Sequence, residues 1–304
     1  MEYTLAFMVC ASSILIPMKQ RRGWLQALVL VLLAVANVVV VVVLSTQHSG
    51  VLAVSFLDVG QGDAILIQGP TGVDVLIDGG SDRSVVRELP KGMGPLDRHI
   101  DMVVATHPDK DHIGGLPDVL LLYDVDTLLT PGLASDTDGY DRFVATVAQE
   151  PGLEAFIARA GQSISLGGDA YMEVLYPNKD VSRLRQTNDA SIALRVVYGD
   201  TSFLLTGDMP STIEDELVRE SGELLQSDVL KAGHHGSKYS TSALWLSAVS
   251  PHVVVISAGK GNTYGHPAPE VLERVGHQGA ETVSTIDEGT ITFVSDGATL
   301  WRRK

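Results

Sequence analysis

The chain has 304 residues, 45% of them hydrophobic, with a formal net charge of −15. That length accommodates one large domain or two small ones. Lys19, Arg21 and Arg22 against Glu2 give residues 1–45 a charge of +2, so the remainder carries −17, which argues against broad electrostatic binding of nucleic acid. The single cysteine, Cys10, excludes a disulfide within one chain.

The N-terminal 45 residues are almost entirely apolar. Residues 24–44 form an uncharged run with Gln26 and Asn37 as its strongly polar residues. This matches the ~20 residues that span a bilayer core, although a buried core helix has similar composition. A shorter apolar run over 3–18 is expected to be a second helix, the two forming a hairpin. The basic "KQRR" between them places that loop in the cytoplasm. The domain that follows would then lie outside the cytoplasmic membrane of a bacterial cell. Residues 1–45 are thus read as a membrane anchor, 46–50 as a linker and 51–304 as one domain.

Within 51–304, short apolar strands are expected at "VLAVSFL", "AILIQG", "VDVLI" and Met102–Thr106, and a short helix over "LPDVLLLYD". Residues 125–165 are mixed, with a helix over "YDRFVATVAQE". Strands follow at "AYMEVLYP", "SIALRVVYG" and "SFLLTGD", then a helix over "STIEDELVRES". Alternating strands and helices run from "DVLKAG" through "SALWLSAV", "HVVVISAG" and "PEVLERV" to the closing strands "ETVSTI", "TITFVS" and "ATLWRR". Clustered strands with interspersed helices imply a layered α/β domain, its sheets covered by helices. Polar residues recur where apolar strands end, and such loops are where sites are usually assembled.

The densest of these clusters is "THPDKDHIGG", Thr106–Gly115. His107, Asp109, Asp111 and His112 are all metal-ligand types. Alternating side chains on a tight loop, followed by the adjacent pair Asp111–His112, suit two neighbouring cations better than one. Gly114 and Gly115 are expected to let the backbone turn sharply. Read alone, the segment is also compatible with a solvated turn. Asp208 ends a very apolar strand, where a buried carboxylate must be paired or bind metal; capping the next helix is the alternative. "LKAGHHGS" adds His234, His235 and Ser237, flanked by Lys231 and Lys238, and "GNTYGHP" adds His266.

Together these segments resemble a known family. "HPDKDH" resembles the His-x-His-x-Asp-His motif of the metallo-β-lactamase superfamily. The series "FLDVGQGDAILI", "VLIDGG", "THPDKDHIGGL", "NDASIALRV", "FLLTGD", "LKAGHHGS" and "NTYGHP" is similar to the C-terminal hydrolase domain of ComEC-type competence proteins. The resemblance implies a four-layer αββα sandwich preceded by one or two transmembrane helices, with a two-metal site at one edge. It implies that His107, Asp109, Asp111 and His112 are ligands, that Asp208 bridges the cations, and that His234 is the late histidine ligand with His235 beside the substrate. Asp78 would brace the His/Asp loop, and Asp58 and Asp63 would organise the site edge. Asn188 and Ser191 stand where a mid-chain histidine ligand is missing. That oxygen-rich set moves the expected ion from Zn²⁺ toward Mn²⁺.

The expected activity is that of a membrane-anchored phosphodiesterase or nuclease acting on single-stranded DNA during uptake, beside a channel and DNA-binding subunits. Two divalent cations would share a bridging hydroxide. Asp111, His235 and His266 would act at the phosphate, with Lys231 and Lys238 orienting the substrate backbone. Hydrolysis of another small ester, such as a phosphorylcholine ester or a lactone, and a non-catalytic assembly role are the rival expectations.

Overall fold

The computed structural model describes residues 18–45 and 50–303, with side chains for 23–40 and 50–303. The chain divides into two compact units, Met1–Gln47 and His48–Lys304, each described by itself. In the first, helix α1 runs Met18–Ser45, and its stretch Gly23–Val40 is long and apolar enough to cross a membrane. The loop expected between two helices at Lys19–Gly23 is instead part of α1, because Lys, Gln and Arg are good helix formers and one glycine does not break a helix. The helix expected over 3–18 lies, but for its last residue, outside the described residues, as do positions 46–49.

The second unit is built from two mixed sheets. One contains β1 (Leu52–Phe56), β2 (Ile65–Gln68), β3 (Asp74–Ile77), β4 (His99–Val104), β5 (Asp124–Thr130) and β6 (Glu154–Ile157), together with two strands from the chain's end. The other contains β7 (Ser163–Gly167), β8 (Ala170–Tyr176), β9 (Ala193–Tyr198), β10 (Thr201–Leu205), β11 (Val229–Lys231), β12 (Val253–Ile256) and β13 (Glu281–Ser284). The final strands β14 (Ile291–Ser295) and β15 (Leu300–Arg302) cross back to the first sheet, whose order is β15-β14-β1-β2-β3-β4-β5-β6. The second sheet is ordered β13-β12-β11-β10-β9-β8-β7.

Period-two alternation decides what each face of a strand meets. In β1, β2 and β3 the inward set Leu52, Val54, Phe56, Ile65, Ile67, Val75 and Ile77 packs against Met172, Val174, Leu194, Val196, Phe203 and Leu205 of the opposite sheet. The alternate positions Leu66 and Leu76 face outward with Val103 and Leu128. There they meet α2 (Ser84–Met93), α3 (Lys110–Ile113), α4 (Leu116–Leu120) and α5 (Asp138–Val147). On the other outer face, Leu204, Leu230 and Val254 meet Leu217 of α6 (Ser211–Ser221), Trp245 of α7 (Ala243–Val249) and Val271 of α8 (Pro269–Gln278). A short α9 (Thr285–Glu288) follows β13. Three buried layers between four layers of structure make this the αββα sandwich.

Three details differ from the sequence expectation. The mixed region 125–165 resolves into β5, α5, β6 and the start of β7. Helix α2 was not anticipated, because Gly92 and two prolines around it mask its apolar face, Val85, Leu89 and Met93. The helix expected over "LPDVLLLYD" stops at Leu120, and Asp124 already starts β5.

Candidate metal centre

Five strand ends deliver the site. Asp78 follows β3, Thr106 and His107 follow β4, Asp208 follows β10, His234 and His235 follow β11, and Ser257 follows β12. Backbone hydrogen bonds stitch these loops together. His112 O accepts from Gly79 N at 2.6 Å, Asp63 O from Gly80 N at 2.7 Å, and Thr106 O from Ile192 N at 3.1 Å. Gly114 and Gly115 have helical φ values of −61° and −87°, so they do not serve the sharp turn expected of them. They serve close approach: a Cβ on Gly115 would sit 2.1 Å from Gly79 O, and one on Gly114 2.4 Å from Ser81 O. Conversely, Asp78, His234 and His235 hold φ of 60°, 47° and 54°. Such left-handed backbone in non-glycine residues stores strain and concentrates at functional sites.

Asp78 is the brace. Its carboxylate accepts from Thr106 N at 2.8 Å, Thr106 Oγ1 at 2.7 Å and His112 Nδ1 at 2.7 Å. A carboxylate only accepts here, so His112 carries a proton on Nδ1 and turns Nε2 to the cluster, bare of any hydrogen-bond partner. Because Thr106 Oγ1 already donates to Asp78, it accepts from His107 Nδ1 at 3.0 Å, which leaves His107 Nε2 bare too. His235 Nδ1 donates to Ser257 O at 3.0 Å, with the same consequence. The three Nε2 atoms and Asp208 Oδ1 are all buried with no hydrogen-bond partner. Buried polar atoms are rarely left unpaired.

Asp208 lies among them. Its Oδ1 is 3.3 Å from His112 Nε2, and its Oδ2 is 3.4 Å from His235 Nε2 and 3.6 Å from His234 Nε2. Each oxygen of this one carboxylate therefore faces histidine nitrogen. Asp111 Oδ2 is 3.3 Å from His235 Nε2, and Asp109 Oδ2 is 3.7 Å from His107 Nε2. Asp63, His112, Asp208 and His235 bring ligand atoms within 4.8 Å of one another. These residues fit divalent cations: neutral imidazole nitrogens with fixed outer hydrogen bonds, and carboxylates between them.

The two adjacent histidines, His234 expected as a ligand and His235 beside the substrate, differ in setting. His235 is buried and points Nε2 into the cluster. His234 is part-exposed, with the Asn188 amide donating to its Nδ1 at 3.2 Å and its Nε2 3.6 Å from Asp208 Oδ2. Left-handed backbone at both residues turns consecutive side chains to different sides of the loop. His266 stands beside His234 with ring centroids 5.5 Å apart. Both line a cleft of about 150 Å³ with Asp109, Asp111, Asp208 and Tyr264.

Asp63 and Lys231 are also placed otherwise than expected. Asp63 is 1% exposed and lies at the centre, not the edge, ion-paired with Lys231 and 3.4 Å from His235 Nδ1. Lys231 is fully buried. Its ammonium donates to Gly207 O at 2.7 Å and lies 3.6 Å from Asp208 Oδ1, so it meets the protein's own carboxylates and no substrate. Ser191 Oγ accepts from Asp208 N at 3.2 Å and Ser237 is buried nearby in sequence. Asp58 is exposed and caps its own turn through Gly60 N. Lys238 is turned onto the Tyr239 ring, 5.1 Å from its centroid, and neither it nor Asp58 joins the cluster. Thr106, Gln61 and Tyr264 belong to the site but were not singled out; each lies inside or directly beside a motif that was.

The charges answer one another. Burial alone pushes the Asp208 and Asp111 carboxyls up, but His235 and His112 outweigh it and hold both well below the usual range. Asp63 sits at about 2, its burial outweighed by Lys231 and His235. Burial pulls His235 down and Asp208 and Asp63 more than reverse it, to about 9; His112 is likewise driven up by Asp208 and Asp78. His107 is driven down, first by burial and then by His112.

Residues 57–170 match the model of the metallo-beta-lactamase superfamily. ComE operon protein 3 of Bacillus subtilis is 30% identical over 79% of this chain and 32% of its own length. Recombination protein 2 of Haemophilus influenzae is 32% identical over 78% of this chain and 28% of its own. The chain thus spans about a third of the curated relatives it matches. The solved structure of Igni18, a metallo hydrolase from Ignicoccus hospitalis, superposes with a TM-score of 0.51 at 15% identity, covering 80% of this chain and 98% of that one. By motif, site and relatives together, the chain belongs to the metallo-β-lactamase superfamily and resembles its ComEC-type competence branch.

Proposed function

We propose that this domain is a metal-dependent phosphodiesterase that degrades single-stranded DNA, carried at a membrane by α1 and positioned outside the cytoplasm. The observation that supports it best is the convergence of the unpartnered, buried Nε2 atoms of His112 and His235 on Asp208, with that of His107 beside Asp109. His107, Asp109, Asp111, His112, Asp208 and His235 would hold two divalent cations, Mn²⁺ or Zn²⁺. When bound, such ions supply Lewis acidity and make water a competent nucleophile near neutral pH.

The chain's own residues do the remainder. Asp78 and Thr106 fix the tautomers of His112 and His107. Lys231 offsets the charge of Asp63 and Asp208 without occupying the cleft. His234 presents Nε2–H toward the cleft, where it donates to a phosphate oxygen. His266 lies next to it, within reach of the leaving oxygen. The carboxylate-rich rim makes the cleft repel a phosphodiester until cations are bound. The competence relatives support DNA as the polymer and a channel with DNA-binding subunits as partners.

The test uses the full chain in detergent with labelled single-stranded DNA. Cleavage with Mn²⁺, lost with EDTA and in the double substitution Asp111→Ala, His112→Ala, is expected. Metal binding without cleavage of any phosphodiester would replace this reading with that of a hydrolase for another ester.

A further inference from the structure

The metal cleft does not end at Tyr264. A second hollow of about 390 Å³ adjoins it and shares Gln61, Asp111 and Tyr264 with it. Its remaining wall is Ser81, Lys110, Asn262 and Thr263. The volume lies within the range of small-molecule pockets, about 300–1,000 Å³. Tyr264 stands at the junction, 68% exposed, with its ring nearly parallel to that of His266 at 16° and 6.0 Å.

The loop that carries Tyr264 is braced. Asn262 donates to Gly259 O at 3.0 Å and to His266 O at 2.7 Å, and accepts from His266 N at 3.0 Å. Gln61 Oε1 accepts from Gly259 N at 3.2 Å, which ties the loop to the segment carrying Gln61. An exposed aromatic on a held loop is a stacking face that costs little entropy to use. Lys110, on the wall of the same hollow, is exposed and forms no ion pair among the described residues. In a domain this acidic, a free ammonium beside the ligand loop marks a place for an anion.

Resting on the phosphodiesterase reading, we infer that this hollow is a nucleoside subsite. With the scissile phosphate at the metal cleft, the adjoining nucleoside enters the hollow, its base stacks on Tyr264 and the next phosphate reaches Lys110. Only an unstacked base offers a free face to Tyr264, so the subsite selects unpaired strands. Stacking on an aromatic contributes about 1–3 kcal/mol per base and tolerates any sequence.

The test measures binding first, on the full chain in detergent with Ca²⁺ to offset the carboxylates of the cleft, using a fluorescent thymidine oligonucleotide and an equal-length oligonucleotide with abasic sites. The parent should bind the base-bearing strand about 5- to 150-fold more tightly than the abasic one. Tyr264→Ala should lose that preference and Tyr264→Phe should keep it. Lys110→Gln should lower the slope of log affinity against log salt by about 0.7, the loss of one phosphate contact on a single strand. Equal binding of both strands by the parent, or a preference unchanged in Tyr264→Ala, overturns the subsite. Adding Mn²⁺ then separates the two readings. Base-dependent binding without cleavage keeps the subsite and removes the nuclease, whereas cleavage without base preference does the opposite.

Discussion

Replacing Lys231 by Met is the perturbation whose size the structure sets most directly. Lys231 is 0% exposed, and its ammonium serves Asp63, Asp208 and Gly207 O. Met has similar length and no charge, so the core keeps its packing. Two carboxylates that are 1% and 3% exposed then lose their shared cation, and one carbonyl loses its donor. Breaking a buried ion pair by removing one partner costs about 3–5 kcal/mol. In a domain of this size each kcal/mol moves Tm by about 2–4 °C, so Lys231→Met should lower Tm by about 6–20 °C. The assay is thermal unfolding of the full chain followed by circular dichroism with EDTA present. Adding Asp63→Leu to Lys231→Met should recover part of the loss, because the uncompensated charge leaves with its partner. A shift of less than about 2 °C in the single variant would refute the view that Lys231 holds this charge balance.

Other outcomes follow from the same geometry. Asp78→Ala removes the partner of Thr106 and His112 and should weaken metal binding about 10- to 100-fold, read by competition with a chelating dye. Without a cation, Asp208, Asp63 and Asp78 favour a second proton on the Nε2 of His235 and His112, so cation binding should displace one to two protons and tighten with rising pH. Calorimetry in buffers of different ionisation heat reads the number, and no buffer dependence would count against it. Burial lifts Glu214 to about 7 against its backbone donors at Thr241 and Ser242. A raised carboxyl contributes stability that is full below its ordinary 4.5 and lost as pH rises through 7. About 3 kcal/mol should therefore disappear over that window, and Glu214→Gln should flatten the corresponding part of the profile in urea titrations. Gly115→Ala should destabilise by at least 1–3 kcal/mol, the usual range for about one excess carbon in a packed site, since its Cβ would meet two backbone oxygens at 2.1 and 2.4 Å.

Much of this site could be read from strand ends. Asp78, His107 and Asp208 each follow an apolar run whose burial is evident from composition, so their carboxylates and imidazoles had to be partnered. A layered α/β domain was legible from the short apolar runs of β1, β2 and β3 and the helices between strands, whereas the four-layer sandwich followed from the family resemblance. What was not legible depends on pairings across the fold. Asp63 and Lys231 lie far apart along the chain, and nothing local to either shows that they meet. The assignment of His234 and His235 turned on positive φ at two non-glycine residues, which no propensity predicts. Gly114 and Gly115 were read as turn glycines because the tightness of the packed loop at Gly79–Asp82 is invisible until the chains are side by side. Strand β6 was obscured because the exposed residues of an edge strand such as Glu154–Ile157 carry little pattern, and β5 because Asp124, Asp126 and Thr127 interrupt its apolar residues.

The most direct measurement is the metal retained after dialysis against Mn²⁺ by the parent, His234→Ala and His235→Ala chains. Bare Nε2 atoms on His107, His112 and His235 predict that the parent and His234→Ala keep their metal and that His235→Ala loses it. A parent that retains neither Mn²⁺ nor Zn²⁺, or a His235→Ala chain that retains as much as the parent, would contradict the ligand set on which the whole account rests.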